Sequence, residues 1–203
     1  MGLQERRARE KGELKQEILD AASDLFVKEG YENVSMRKIA ERIEYSPTTI
    51  YLYFHDKAEL LDSICEQTFA KLIKKLQVLR SETDPVASLK KGLRAYIEFG
   101  IKHPNHYKLT FLTEYSLDQR KRYEDSRAHD MGHKAFENLC DSVAACVGAG
   151  ELADQDVETT SQALWAAIHG LTALLITNKH FPWVERNRLI DRLIDTLVGG
   201  LRK

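Results

Sequence analysis

Apolar positions recur at three- and four-residue spacing along most of the chain, and no stretch shows the two-residue alternation of a half-buried strand. Leu14, Ile18, Ala21, Ala22 and Leu25 trace one helical face, which Phe26 widens and Gly30 stops. Residues 1–12 ahead of it are polar and read as a flexible arm or a frayed helix start. Met36, Ile39, Ala40 and Ile43 form a second, short helix behind Ser35 as its cap. A third opens at Ser46, whose hydroxyl accepts from a free amide of the next turn, with Pro47 at the first helical position, where its missing donor costs nothing. Ile50 and Phe54, four apart, anchor it in a core.

Asp56 caps a long fourth helix running to about Arg80, with Leu60, Leu61, Ile64, Phe69, Leu72 and Leu76 on its apolar face. All four prolines fall at expected helix starts. Asp84-Pro85 opens a helix that His103-Pro104 breaks; a short one with Tyr107 and Phe111 follows, then a longer one from about Leu117 that Gly148 and Gly150 end. Asp154 is the expected cap of a helix over residues 155–180, and a last helix runs from about Glu185 to Leu201 after Pro182. The expected fold is all-α with about nine helices: a three-helix domain over residues 1–55, and a larger helical domain over residues 56–203.

Composition removes several classes. The chain has 203 residues and a formal charge of −1 at pH 7, and residues 1–57 are nearly balanced in acids and bases, so a nucleic-acid partner must be argued from placement. Three cysteines without a CxxC pair fit neither a disulfide framework nor a cysteine zinc site, and a reducing cytoplasm is expected. No apolar run is long enough to span a bilayer, and no phosphate loop, nucleophile elbow or dinucleotide fingerprint occurs, so neither a membrane role, an enzyme nor a cofactor is expected.

Pro47, Thr48, Thr49, Tyr51 and Tyr53 give the third helix a hydroxylated, weakly charged surface. Hydroxyls bond to base edges or phosphates, and Pro or Thr methyls touch thymine methyls, so this is a candidate recognition helix; a helix–turn–helix used only for packing is the alternative. Ser35, Arg37, Ile39 and Ala40, then Ser46, Thr49, Ile50, Tyr51, Tyr53 and Phe54, then Lys57 and Leu60, resemble the DNA-binding domain of the TetR family of bacterial transcriptional regulators over roughly residues 18–61. Two positions depart from it: Glu44 in the turn and Thr48, where many members carry glycine. Arg37 is the expected base contact, since a guanidinium pairs bidentately with guanine. Pro47, Thr48, Thr49 and Tyr51, with Ser46 at their head, are expected to read the groove of double-stranded operator DNA. Ser35, Tyr53 and Lys57 are expected on phosphates, and the resemblance implies a backbone contact for the lysine. The basic residues of the arm, Arg6, Arg7, Arg9 and Lys11, either follow a DNA backbone or form a solvated tail.

The last two helices carry broad aliphatic stripes. Trp165, Ile168, Leu171 and Leu175 in one, and Leu189, Leu193, Ile194 and Leu197 in the other, are expected at a homodimer interface, a monomer core being the alternative. Phe69, Tyr96, Phe99, His103, Tyr107, Phe111, His133, Phe136 and Trp165 are candidates to line a pocket for a mostly apolar ligand, or simply to fill a core. The resemblance implies that a small-molecule effector binds between the middle helices and shifts the spacing of two DNA-reading heads, making the chain a dimeric regulator, expected to be a repressor. The competing reading is a helical-bundle metal protein or enzyme built on His129 and His133, which share one helical face without a carboxylate in register.

Overall fold

A computed structural model describes residues 2–77, 82–114, 116–153 and 156–202. These form ten α-helices: α1 (Leu3–Glu29), α2 (Met36–Arg42), α3 (Pro47–Tyr51), α4 (Lys57–Gln77), α5 (Pro85–Lys102), α6 (Pro104–Tyr107), α7 (Leu117–Glu124), α8 (Arg127–Gly148), α9 (Val157–Thr177) and α10 (Arg186–Gly199). A 3₁₀ turn at Tyr31–Asn33 and a π-turn at Lys108–Leu112 complete them, and there is no strand among the described residues beyond an isolated bridge between Leu152 and Arg202. The all-α expectation is met.

The tenth helix comes from a break. The single helix expected from Leu117 is interrupted after Glu124, where the chain turns at Asp125 and Ser126 and restarts as α8. α1 also starts eleven residues earlier than its apolar face, at Leu3, so the arm is helical and carries i,i+4 pairs such as Arg6–Glu10 (2.7 Å). Pro47, Pro85 and Pro104 open α3, α5 and α6, but Pro182 stands four residues before α10, which Glu185 caps through the amides of Asn187 and Arg188. Asp154 and the end expected for α4 near Arg80 lie outside the described residues; Asp156 caps α9.

The helices fall into two compact units, Met1–Thr68 with Asn105–His129, and Phe69–Pro104 with Asp130–Lys203. In the first, Ile18, Ala22 and Phe26 of α1 close on Ile39 and Ala40 of α2, on Ile50 and Phe54, and on Leu60 and Ile64 of α4, joined by Leu109 and Ala128. Cys65 lies in this core, where burial pushes its thiol up to about 12. In the second, α5 packs on α9 and α10, burying Leu89, Leu93 and Ile97 with Leu164, Ile168, Ile190 and Ile194. Lys90–Asp195 (2.6 Å) and Arg94–Asp191 pin α5 to α10 at the surface.

The turn between α2 and α3 is a Schellman motif. The Tyr45 amide donates to the Ala40 carbonyl (3.0 Å) and the Glu44 amide to that of Glu41 (3.3 Å), which requires Glu44 at φ 60. Among the described residues it is the one non-glycine at positive φ. Left-handed backbone costs a side-chain-bearing residue roughly 1–2 kcal/mol, while glycine's extra freedom in the unfolded chain returns about 0.5–1. Glu44→Gly is therefore expected to raise unfolding free energy by about 0.5–1 kcal/mol in urea titration; a loss of stability would show that the turn stores no strain.

Candidate nucleic-acid interface

α3 is held by its two ends and one face. The Ser46 hydroxyl accepts from the Thr49 amide (3.2 Å) and shares a hydrogen bond with the Thr49 hydroxyl (2.9 Å). Ile50 and Phe54 are fully buried. What remains outward is Pro47, Thr48 and Tyr51, the last 54% exposed, with Thr49 and Tyr53 half-buried at the edges. The groups expected to read a groove are thus on one accessible surface.

That surface also carries residues the spacing did not single out. Leu52 is 76% exposed and Tyr45, on the turn, is exposed as well. The signal for Leu52 was present, since it falls between Ile50 and Phe54 and so off their buried face.

On α2, Ser35 caps the helix through the Lys38 amide (3.2 Å), and Arg37 projects into solvent with 80% of its side chain exposed, bridging to Glu41 at 3.0 Å. Lys57 is placed differently from a free surface cation. Its ammonium donates to the Tyr31 carbonyl at 2.6 Å, approaches that of Glu32 at 3.5 Å, and lies 4.2 Å above the Tyr31 ring. It ties the turn before α2 to the first turn of α4. The same turn of α4 is clamped by Arg122 of α7, which meets Asp56 (3.2 Å) and Asp62 (3.3 Å). Burial alone would raise both carboxyls; at Asp56 the Glu59 amide and Arg122 outweigh it and hold the group below its ordinary value, whereas at Asp62 burial wins.

The family profile described as bacterial regulatory proteins, tetR family, matches residues 18–64, and that described as tetracyclin repressor-like, C-terminal domain, matches residues 89–197. The chain belongs to the TetR family. It is a DNA-binding transcriptional regulator, and the relatives it matches are named as regulators. The transcriptional activator FasR of Mycolicibacterium smegmatis is 27% identical over 91% of this chain and 77% of its own length. The fatty acid metabolism regulator protein of Bacillus subtilis is 23% identical over 91% and 94%. The solved fatty acid degradation regulator FadR of Bacillus halodurans shares the TetR fold, with a TM-score of 0.80 at 19% identity over 93% of this chain and 96% of that one.

The residues expected around an effector are divided between the two units. Tyr107, fully buried, and Phe111 meet in the first with ring centres 4.8 Å apart and planes tilted by 43°. In the second, the Trp165 indole donates to the Tyr96 hydroxyl (3.2 Å), which bonds to His169 Nδ1 (3.3 Å), and Phe136 meets the Trp165 ring edge-on. Phe69 fills the space over Gly132, where a Cβ would lie 3.1 Å from its ring. Phe99 is buried against His103, and His133 is exposed. His169, which joins Tyr96 to Trp165, was missed because nothing in its spacing links it to Tyr96 seventy-three residues earlier.

The stripes expected at a dimer interface split in the same way. Ile168 and Ile194 are buried in the second unit's own core and Leu171 nearly so, while Leu175, Leu189, Leu193 and Leu197 are half-buried and Trp165 is partly exposed. An all-round apolar helix such as α9 does not disclose from spacing which face meets its own chain. Among the described residues no three His, Cys, Asp or Glu side chains gather as metal ligands; His129 packs edge-on against Tyr123 (5.6 Å), and the metal-site alternative finds no third ligand there. No helix among the described residues is long and apolar enough to cross a membrane.

Burial lowers the pKa of His169, and burial together with Lys71, Lys102 and Lys75 lowers that of His103. Both rings therefore take up protons less readily folded than unfolded. Stability from this source is full above the unfolded value of about 6.5 and falls as pH drops below it. Unfolding free energy is expected to decline between about pH 7 and pH 5.5, and the His169→Gln, His103→Gln variant to flatten that decline. An unchanged slope in the variant would place the dependence elsewhere.

Proposed function

We propose that this regulator acts as a homodimer that occupies a palindromic operator and leaves it on binding a small, mostly apolar effector. The observation that carries the DNA half is α3, which Ile50 and, just beyond its end, Phe54 anchor while Pro47, Thr48 and Tyr51 face outward. In this reading Ser46, Pro47, Thr48, Thr49 and Tyr51 read the major groove, Arg37 pairs with a guanine, and Ser35, Tyr53 and Lys57 hold phosphates. Lys57 has three donors, of which two turn to carbonyls, leaving one for the backbone of DNA.

The dimer half rests on the outer surface of α9 and α10. Ala163 and Ala166 are exposed, Gly170 has open space above it, Leu174 is 46% exposed, and Leu189, Leu193 and Leu197 form a half-buried row. Small residues beside a leucine row suit close helix packing between two copies, and two-fold symmetry presents two α3 helices to two half-sites. An apolar effector is supported by the aromatic residues around Trp165 and by relatives named for fatty acid metabolism and degradation. Occupying a promoter blocks polymerase unless a separate activating contact exists. That makes repression the reading we adopt, although the mycobacterial relative is named an activator.

Footprinting of the purified protein on DNA flanking its own gene is expected to protect a roughly palindromic site with half-sites spaced for a two-fold dimer. Weak protection without sequence preference would remove this function. On that site Arg37→Ala is expected to cost about 1–3 kcal/mol and relax preference at one base pair of each half-site. Lys57→Ala is expected to weaken all sequences alike and lower the salt slope by roughly 0.9 per site contacted. An unchanged slope with a lowered Tm would confine Lys57 to tethering the Tyr31 turn.

A further inference from the structure

The first turns of α1 lie outside all of this. The helix begins at Leu3, yet its first fully buried residue is Ile18, and every residue from Gln4 to Glu13 is exposed. Helix geometry fixes where these turns point. Ile18, Leu19 and Ala22 mark the face that α1 turns to the core. Lys15 sits one turn ahead of Ile18 and Leu19 on that face, and Lys11 and Arg7 precede it at four-residue steps, each rotated by only about 40°.

Charge is sorted around the helix in the same sense. Glu10, Glu13 and Glu17 lie on the other side, where Glu10 holds Arg6 (2.7 Å) and Glu13 stands 3.6 Å from Arg9. Glu5, at the rim, accepts from the Gly2 amide (2.9 Å). Ala8 and Gly12 flank the cations on the side away from Glu10, Glu13 and Glu17, and a Cβ built at Gly12 meets nothing within 4 Å. That flank of the cationic face is therefore low. Like charges four residues apart cost a helix a few tenths of a kcal/mol, and an interior glycine about 1. A solvated helix gains from neither.

The stripe also has a definite starting point. The Lys15 ammonium lies 5.4 Å from the centre of the Phe54 ring, beside the residue that anchors the end of α3. From there to Arg7 the helix advances about 12 Å.

We propose that Arg7, Lys11 and Lys15 form a rail for duplex DNA phosphates, by which α1 grips the backbone beside the segment that α3 occupies. The rail rests on the DNA-binding reading above and extends its footprint without adding sequence information. Ala8 and Gly12 let the backbone of the helix approach the strand.

The test compares two double variants of the full chain on the footprinted fragment and on a scrambled duplex of equal length. Arg7→Ala with Lys11→Ala removes two charges from the rail; Arg6→Ala with Arg9→Ala removes two from other faces. Circular dichroism checks that both keep the helix content of the wild type. Between about 50 and 200 mM salt, the rail variant is expected to lose roughly 3.6 from the slope of log affinity against log salt, about 0.9 for each of two charges in each protomer of the dimer, and on the order of hundredfold in affinity for both duplexes. The other variant is expected to stay close to wild type. Equal losses in the two variants would mean that net charge alone acts, and no loss in the rail variant would mean that the arm serves another partner; either overturns the rail. Absence of a wild-type footprint would instead remove the DNA-binding reading from which the rail is built.

Discussion

A helix of five residues cannot hold its own shape in water, because nucleation costs more than so few hydrogen bonds return. α3 exists because Ile50 and Phe54 are buried in the first unit, each side chain contributing roughly 1.5–3 kcal/mol. Every other property of the DNA-reading surface depends on that anchorage. With two side chains committed inward, the Ser46 cap and the Schellman turn have only to set the angle at which the rest face out. Groove recognition demands such rigidity, since a hydrogen bond to a base edge discriminates only if its donor cannot wander.

The elements most legible in the chain were those decided locally. Ser35, Ser46 and Asp84 each cap the helix that follows, because a cap is a contact between residues two or three apart. Glu44 stood out in the turn only through the resemblance, as a residue where many members carry glycine. The break at Asp125–Ser126 was harder to see, since no proline or glycine marks it and the largely polar run from Asp118 to Arg127 has no apolar spacing whose interruption could show it. Lys57 could be placed in the first turn of α4 from its spacing, but the carbonyl it meets belongs to Tyr31, twenty-six residues upstream. Ile168 and Ile194 expose the same limit from the other side. A stripe specifies that a face is apolar and is silent on whose apolar face will cover it.

The two units divide along lines the chain does not announce. Residues 105–129 return to the helix–turn–helix unit: Leu109 and Ala128 enter its core, Asn105 donates to Asp24 (2.7 Å), Gln119 to Glu32 (3.2 Å), and Arg122 clamps the start of α4. The three-helix head therefore has a sequence-distant buttress. Individually these exposed polar contacts are worth little, in the range of about 0–1 kcal/mol each. Their value is geometric, because they set α7 against the same turn of α4 that Lys57 joins to the approach to α2.

Cys65 adds a final property. It is the one cysteine of the helix–turn–helix unit, and with its thiol pushed up to about 12 the reactive thiolate is present at neutral pH in only about one molecule in 10⁵. Peroxides and electrophiles attack thiolates, so Cys65 is a poor target for them. The packing that anchors the DNA-reading head thus also withdraws its one thiol from redox chemistry.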